Sequence, residues 1–213
     1  VRNRNKPWAD DFLKENNHIL AEEPFSNKGN WQQSFSKKQP LHLEIGAGKG
    51  QFIAGMAEKF PEVNFLGIER VKTVMVGAVK KVKTAEVENV VLVNEDAKDL
   101  RDMFGTDEID HIYLNFSDPW PKKKHHKRRL THETFLEQYR DVLKSDGRIT
   151  LKTDNRSLFE YSLSSFSKFG MTLEDVTLDL HELEDESNVM TEYEQKFSAK
   201  GQPIYRCEVI NRI

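Results

Sequence analysis

The residues best suited to chemistry stand in one run, Asn115-Phe116-Ser117-Asp118-Pro119-Trp120-Pro121, followed at once by Lys122-Lys123-Lys124-His125-His126-Lys127-Arg128-Arg129. Asp118 supplies one carboxylate in a backbone stiffened by two prolines, since each ring fixes its own φ and restricts the residue before it. Trp120, between them, offers a flat apolar wall against which a base can lie. Of the next eight residues, six are Lys or Arg, a density that suits phosphates. A carboxylate joined to a polycationic strip suits chemistry on a nucleic acid. The plainer alternative is a rigid turn followed by a solvated charge run, and charge alone does not separate the two.

Such a site needs elements to position it. From Leu41 onward, short apolar runs alternate with helical patterns. The spacing predicts strands over Leu41–Ile45, Val63–Ile68, Val90–Val93, Ile109–Leu114 and Arg148–Lys152. It predicts helices over Gln51–Phe60 and Lys72–Ala85, one capped by Thr131 and running to Leu143, and one over Asn155–Phe169 ended by Gly170. A helical turn falls near Lys98–Met103, and Gly147 ends the turn before the fifth strand. Two more strands, Met171–Leu180 and Ile204–Ile210, flank an acidic, partly helical insert. Continuous apolar strands alternating with helices predict an α/β fold, a parallel sheet covered on both faces. Residues 1–36 read as a strap over a domain spanning 37–213. The strap starts with a weakly basic arm, Arg2, Arg4 and Lys6. Pro7 then opens a helix through Asn16 with Trp8 and Phe12 on one face, and Trp31 stands isolated.

Ligands of such sheets bind beyond the carboxyl ends of the strands, near the switch point. Glu44, Glu69, Asp96, Asp118 and Asp154 stand at or just past five predicted strand ends. Glu44 also precedes a glycine turn, Gly46-Ala47-Gly48-Lys49-Gly50. Its spacing is not that of a P-loop, because Leu43 stands where the first glycine belongs. It is not the dinucleotide fingerprint either, because position 51 is Gln. An acid-rich edge repels pyrophosphate and suits a cationic nucleoside such as S-adenosyl-L-methionine. Glu44 can face its ammonium, Gly46 and Gly48 let the backbone approach, and N–H groups at the helix start suit its carboxylate. Glu69 can accept from both ribose hydroxyls, and Asp96 from the adenine amino group, with the Ala97 N–H facing the ring. Each acid alone reads as a surface cap; the set with the glycine turn reads as a cofactor edge.

At this level of detail the chain resembles the bacterial tRNA (guanine-N7-)-methyltransferase family. The resemblance rests on LEIGAGKG, the Glu69 position, DPWPKKKHHKRR, Thr153-Asp154-Asn155 and Thr191-Glu192-Tyr193-Glu194, and it extends from about Leu41 to the C-terminus. It implies a Rossmann-like class I methyltransferase with a seven-stranded, mostly parallel sheet and helices on both faces. It implies methyl transfer from S-adenosyl-L-methionine to N7 of a guanine in the tRNA variable loop. By motif position, Glu44, Glu69, Asp96 and Asp118 would contact the cofactor, with Asp118 also catalytic. Lys122, Asp154, Thr191, Glu192, Tyr193 and Glu194 would contact substrate, and Lys124, His125, His126, Lys127, Arg128 and Arg129 the RNA. Asp118, Asp154 and Glu194 all remain candidates for holding the guanine edge, and both monomer and homodimer remain open. Without the resemblance, Thr191 reads as the N-cap of a solvated helix.

Composition narrows the setting. The net charge is −3, so the +6 of Lys122 to Arg129 sits on a body of −9, a segregation that pI would hide. The single cysteine, Cys207, excludes an internal disulfide and reads as a small core residue in a reducing compartment. No run approaches a membrane span, which leads to the expectation of a cytoplasmic protein without a membrane partner. His125 and His126 amid lysines make a poor cation site, so no metal is expected. Two other readings fit parts of the pattern. An exocyclic-amino methyltransferase of the N6-adenine type shares the Asp-Pro turn, but here Trp120 separates the two prolines. An RNA-binding protein with a vestigial cofactor fold shares the basic strip, but it would not need the intact row of acids.

Overall fold

The computed structural model describes residues 7–212; the basic arm Arg2, Arg4 and Lys6 lies outside them. The elements are α1 (Pro7–Glu15), β1 (Leu41–Ile45), α2 (Gln51–Lys59), β2 (Asn64–Ile68), α3 (Lys72–Ala85), β3 (Val90–Val93), β4 (Ile109–Asn115), α4 (Glu133–Val142), β5 (Leu143–Thr153), α5 (Arg156–Phe169), β6 (Thr172–Thr177), α6 (Glu192–Ser198) and β7 (Tyr205–Ile210). The strands form one sheet in the order β3-β2-β1-β4-β5-β7-β6. All pairings from β3 across to β5 are parallel, and β7 runs antiparallel to both its neighbours. The order reverses between β1 and β4, which puts the switch point at the ends of those strands.

Side chains alternate across the sheet because successive strand residues point to opposite faces. Leu41, Leu43, Leu66, Ile68, Val91 and Val93 pack on one side with α4 and α5 residues such as Tyr139 and Phe166. Phe65, Val90 and Leu92 pack on the other with Phe52 and Ile53 of α2, Met75 and Val79 of α3, and Leu13 of α1. Gly50 is dictated by packing: a Cβ there would lie 2.7 Å from Ala78 Cα, so only glycine lets α2 start this close to α3.

The predicted strands and helices recur with local differences; β6 ends at Thr177 rather than Leu180, which instead opens a 3-10 turn. The N-cap of α4 is His132, whose side chain accepts from Thr134 N–H, while Thr131 is buried and bonds Ser162 at 2.8 Å. Gly147 lies inside β5, which starts at Leu143 and shifts register between Ile109 and His111 of β4. The buried face of α1 is Ala9 and Leu13, with Phe12 partly packed and Trp8 51 % exposed. Trp31 is not isolated: it is fully buried, packs on Phe104 at 5.5 Å, and donates its indole N–H to Met103 O at 2.8 Å. Glu108, just before β4, accepts from Gly29 N–H and Trp31 N–H, which binds the strap to the sheet.

Candidate active site

A cavity of about 600 Å³ opens at the switch point. Its wall follows the strand ends in turn: Ile45 and Gly46 at the end of β1, Glu69 and Arg70 after β2, Asp96 and Ala97 after β3, then Asn115 at the end of β4 with Phe116, Asp118 and Trp120 beyond it. Lys127 and Arg128 close the far side. Three carboxylates, Glu69, Glu95 and Asp96, interleaved with Arg70 and Lys98, line the β2 and β3 end, and Lys127 and Arg128 lie beyond β4. This arrangement can hold a flat, positively charged group at one end and a polyanion at the other.

Local structure explains the floor. Gly46 and Ala47 both donate N–H to Ile68 O, at 2.8 and 2.9 Å, which folds the loop back over the sheet. Gly46 and Gly48 take φ of 82° and 57°, and a Cβ added to either would meet no nearby side chain, so the space above the loop stays open. Glu69 accepts from Gly48 N–H at 3.2 Å and Val71 N–H at 2.8 Å, so its carboxylate is held at the rim.

Glu44 lies beneath this floor, 3 % exposed, and does not line the cavity. Its Oε1 accepts from Asn115 Nδ2 at 2.9 Å, whereas its Oε2 and Asn115 Oδ1 are buried without a partner. Burial pushes the Glu44 carboxyl up to about 7, with Asn115 and Lys152 drawing it down and Glu69 raising it. Glu44 thus reaches the cavity through Asn115.

The Asp118 loop is a strained clamp. Trp120 has a φ of 41°, a left-handed conformation that is costly for a bulky residue. Arg129 holds it there, donating Nε–H to Pro119 O at 2.9 Å and Nη2–H to Trp120 O at 3.4 Å while its guanidinium lies 4.3 Å from the Tyr161 ring. Arg129 is buried, unlike its neighbours in the strip, and two of its N–H donors are turned onto loop carbonyls, which gives it a structural task beside the expected one on RNA. Lys122, Lys123, Lys124, Lys127 and Arg128 are exposed along and just before a short 3-10 helix, Lys123–Arg128, with His125 and His126 half-buried. Arg128 lies over Trp120 at 4.9 Å.

The remaining site residues do not gather in the cavity. Asp154 accepts from Tyr193 Oη–H at 3.3 Å and Gln202 Nε2–H at 2.9 Å. Thr191 caps α6 in a reciprocal box with Glu194, and Glu192 pairs with Lys49 and Lys81 at 3.8 and 3.3 Å. Glu194 is 0 % exposed. Its Oε2 lies 2.6 Å from Lys152 Nζ, and its Oε1 accepts from Asn188 Nδ2 at 2.9 Å. This geometry disfavours Glu194 for the guanine edge, because it is buried and both oxygens are bonded inside the protein. Sequence reading missed Lys152, although a lysine within the apolar strand Ile149–Thr153 was itself a signal, since a buried ammonium requires a partner. It also left Phe116 without a role.

The strand order, the single antiparallel strand next to the sheet edge and the cavity at the switch point define a class I methyltransferase. A solved methyltransferase from Pyrococcus furiosus shares the fold with a TM-score of 0.60 at 19% identity, over 86% of this chain and 80% of that one. The family described as "Putative methyltransferase" matches residues 38–207. The tRNA (guanine-N(7)-)-methyltransferase of Oceanobacillus iheyensis is 60% identical over 98% of both chains, and that of Bacillus subtilis 56% identical over 98% of both. The chain belongs to the tRNA (guanine-N(7)-)-methyltransferase family. Among the described residues, no helix is long and apolar enough to cross a membrane, and no group of side chains could hold a metal ion.

Proposed function

We propose that the protein methylates N7 of a guanine in the variable loop of tRNA, with S-adenosyl-L-methionine as donor. The observation that carries this reading is the cavity itself, which joins the carboxylates at the β2 and β3 ends to the exposed basic strip beyond β4. Full-length identity to relatives named for that reaction supports the choice of base and atom.

The residues present fit the donor. The open space over Gly46 and Gly48 admits a ligand against the backbone. The anchored Glu69 carboxylate suits two ribose hydroxyls, and Asp96 with the Ala97 N–H suits adenine. The buried Glu44 carboxyl, bonded to Asn115 of the cavity wall, puts negative charge beneath the floor, which suits an ammonium above it. When bound, the donor supplies an electrophilic methyl group on a sulfonium.

Guanine N7 carries an in-plane lone pair and is unprotonated near neutrality, so no side chain has to create the nucleophile. The protein must align the base and exclude water. Phe116, Asp118 and Trp120 form the wall that does so, and Lys122, Lys124, Lys127 and Arg128 hold the phosphates that bring the base in. Methylation leaves the purine positive and its N1–H more acidic. Asp118, exposed at the rim, can accept that hydrogen bond and stabilise the growing charge. Asp154, bonded to Tyr193 and outside the cavity lining, is the other candidate carboxylate. A tRNA substrate fits a cytoplasmic protein.

The test is incubation with labelled S-adenosyl-L-methionine and unmodified tRNA, then nucleoside mapping. 7-Methylguanosine is the expected product, and labelled N6-methyladenosine instead would overturn the reading.

A further inference from the structure

Phe116 follows β4 directly and lines the cavity between Asn115 and Asp118. Its φ is 51°, in the left-handed region. Bulky side chains persist there only when the surroundings over-determine them, so such an outlier points to a task. Two contacts fix it. Its N–H donates to Lys152 O at 2.8 Å, and its ring meets Tyr193 at 5.0 Å with 41° between planes.

These contacts belong to one closed circuit. Lys152, whose carbonyl holds the Phe116 backbone, uses its ammonium to bind Glu194 at 2.6 Å, Val189 O at 2.9 Å and Asn188 Oδ1 at 3.1 Å. Glu194 closes the capping box that starts α6. The residue before it, Tyr193, is the one that backs Phe116, and Tyr193 is itself stacked on Phe197 at 4.2 Å. The β4–β5 ladder therefore holds the backbone of Phe116, and the buried ion pair, through α6, holds the ring behind it. Trp120, the other aromatic of the wall, is covered by the Arg128 guanidinium and held edge-on to His125 at 5.8 Å.

We infer that Phe116, backed by the Tyr193 ring, is the surface on which the target purine stacks. The placement fits the chemistry: a ring at the end of β4 lies between the acceptor half of the cavity and Asp118, where a base must lie to present N7 to the donor half. Stacking on a preset ring holds the base plane while leaving its edges free for Asp118. The inference rests on the proposed methylation of guanine, so turnover by the unaltered protein is the control.

The experiment compares Phe116→Leu, Phe116→Tyr and Phe116→Trp, measuring kcat and KM for tRNA, donor affinity by calorimetry, and thermal unfolding. Leucine fills similar space without a π-face, so a packing role would tolerate it. The expected result is a roughly 10- to 100-fold loss of kcat/KM in Phe116→Leu, from the usual worth of one base–aromatic stack. The aromatic variants should stay within about threefold of the unaltered protein, and donor affinity and unfolding temperature should hold in all three. Full activity in Phe116→Leu overturns the inference and leaves the functional reading standing. Weakened donor binding in Phe116→Leu also overturns it, assigning the ring to the cofactor. No 7-methylguanosine from the unaltered protein removes the functional reading first.

Discussion

Lys152 Nζ and Glu194 Oε2 lie 2.6 Å apart, and both side chains are buried. Removing one member strands the other charge in the interior, which typically costs about 3–5 kcal/mol, whereas replacing both by apolar groups costs far less. Glu194→Gln or Lys152→Met alone should therefore lower stability by about that much, and the double change Lys152→Met/Glu194→Met should recover much of it. Urea unfolding of all three checks this; additive losses would show that the pair is not the coupling unit.

Glu44 makes stability depend on pH. Its carboxyl is raised to about 7 in the folded protein by burial, against 4.5 for an ordinary glutamate. The folded state thus holds the proton more tightly than the unfolded state. The resulting stabilisation is full below pH 4.5 and is lost as pH rises through about 7, a span worth about 3 kcal/mol. Glu44→Gln should flatten the fall in unfolding free energy between about pH 5 and 8. An unchanged slope in the variant would assign the dependence to other groups.

Arg129 and its neighbours in the basic strip should separate cleanly. Arg129→Ala removes the clamp on Pro119 and Trp120 and should lower kcat while leaving the salt dependence of tRNA binding unchanged. Neutralising Lys123, Lys124 and Lys127 should instead reduce the log–log salt slope by about 0.7 for each phosphate left without its cation. Binding isotherms at several salt concentrations tell the two apart, and a reduced slope in Arg129→Ala would return that residue to the RNA interface.

Asp118→Asn keeps the shape of the side chain and removes its charge. If Asp118 accepts from the base as N7 takes the methyl group, turnover should fall by about 100-fold or more. Donor affinity, measured separately, should move much less. Turnover equal to that of the unaltered protein would leave Asp154 as the carboxylate at the base.

The sheet was legible because each strand is a short, nearly continuous apolar run, and the glycine turn because a parallel sheet puts ligands at its strand ends. The caps were less legible. Thr131 and His132 are adjacent, and burial of the Thr131 hydroxyl against Ser162, far along the chain, decided between them. The strip hid one residue for the same kind of reason: Arg129 matches its neighbours in type, yet it turns inward onto carbonyls that only the folded loop brings near. Glu194 sat in an acidic stretch and read as solvated or ligand-facing. Its partner Lys152 lies 42 residues away in sequence, and local pattern carries no trace of that pairing.

The strap has a consequence for anyone shortening the chain. The matched span begins at residue 38, yet Trp31 fills space beside Phe104 and Glu108 carries two of the strap's amide hydrogens. Trimming to that span would empty a tryptophan-sized volume against the entry to β4 and strand a carboxylate there. The family model thus starts inside the folding unit, whereas the full-length relatives span the strap as well.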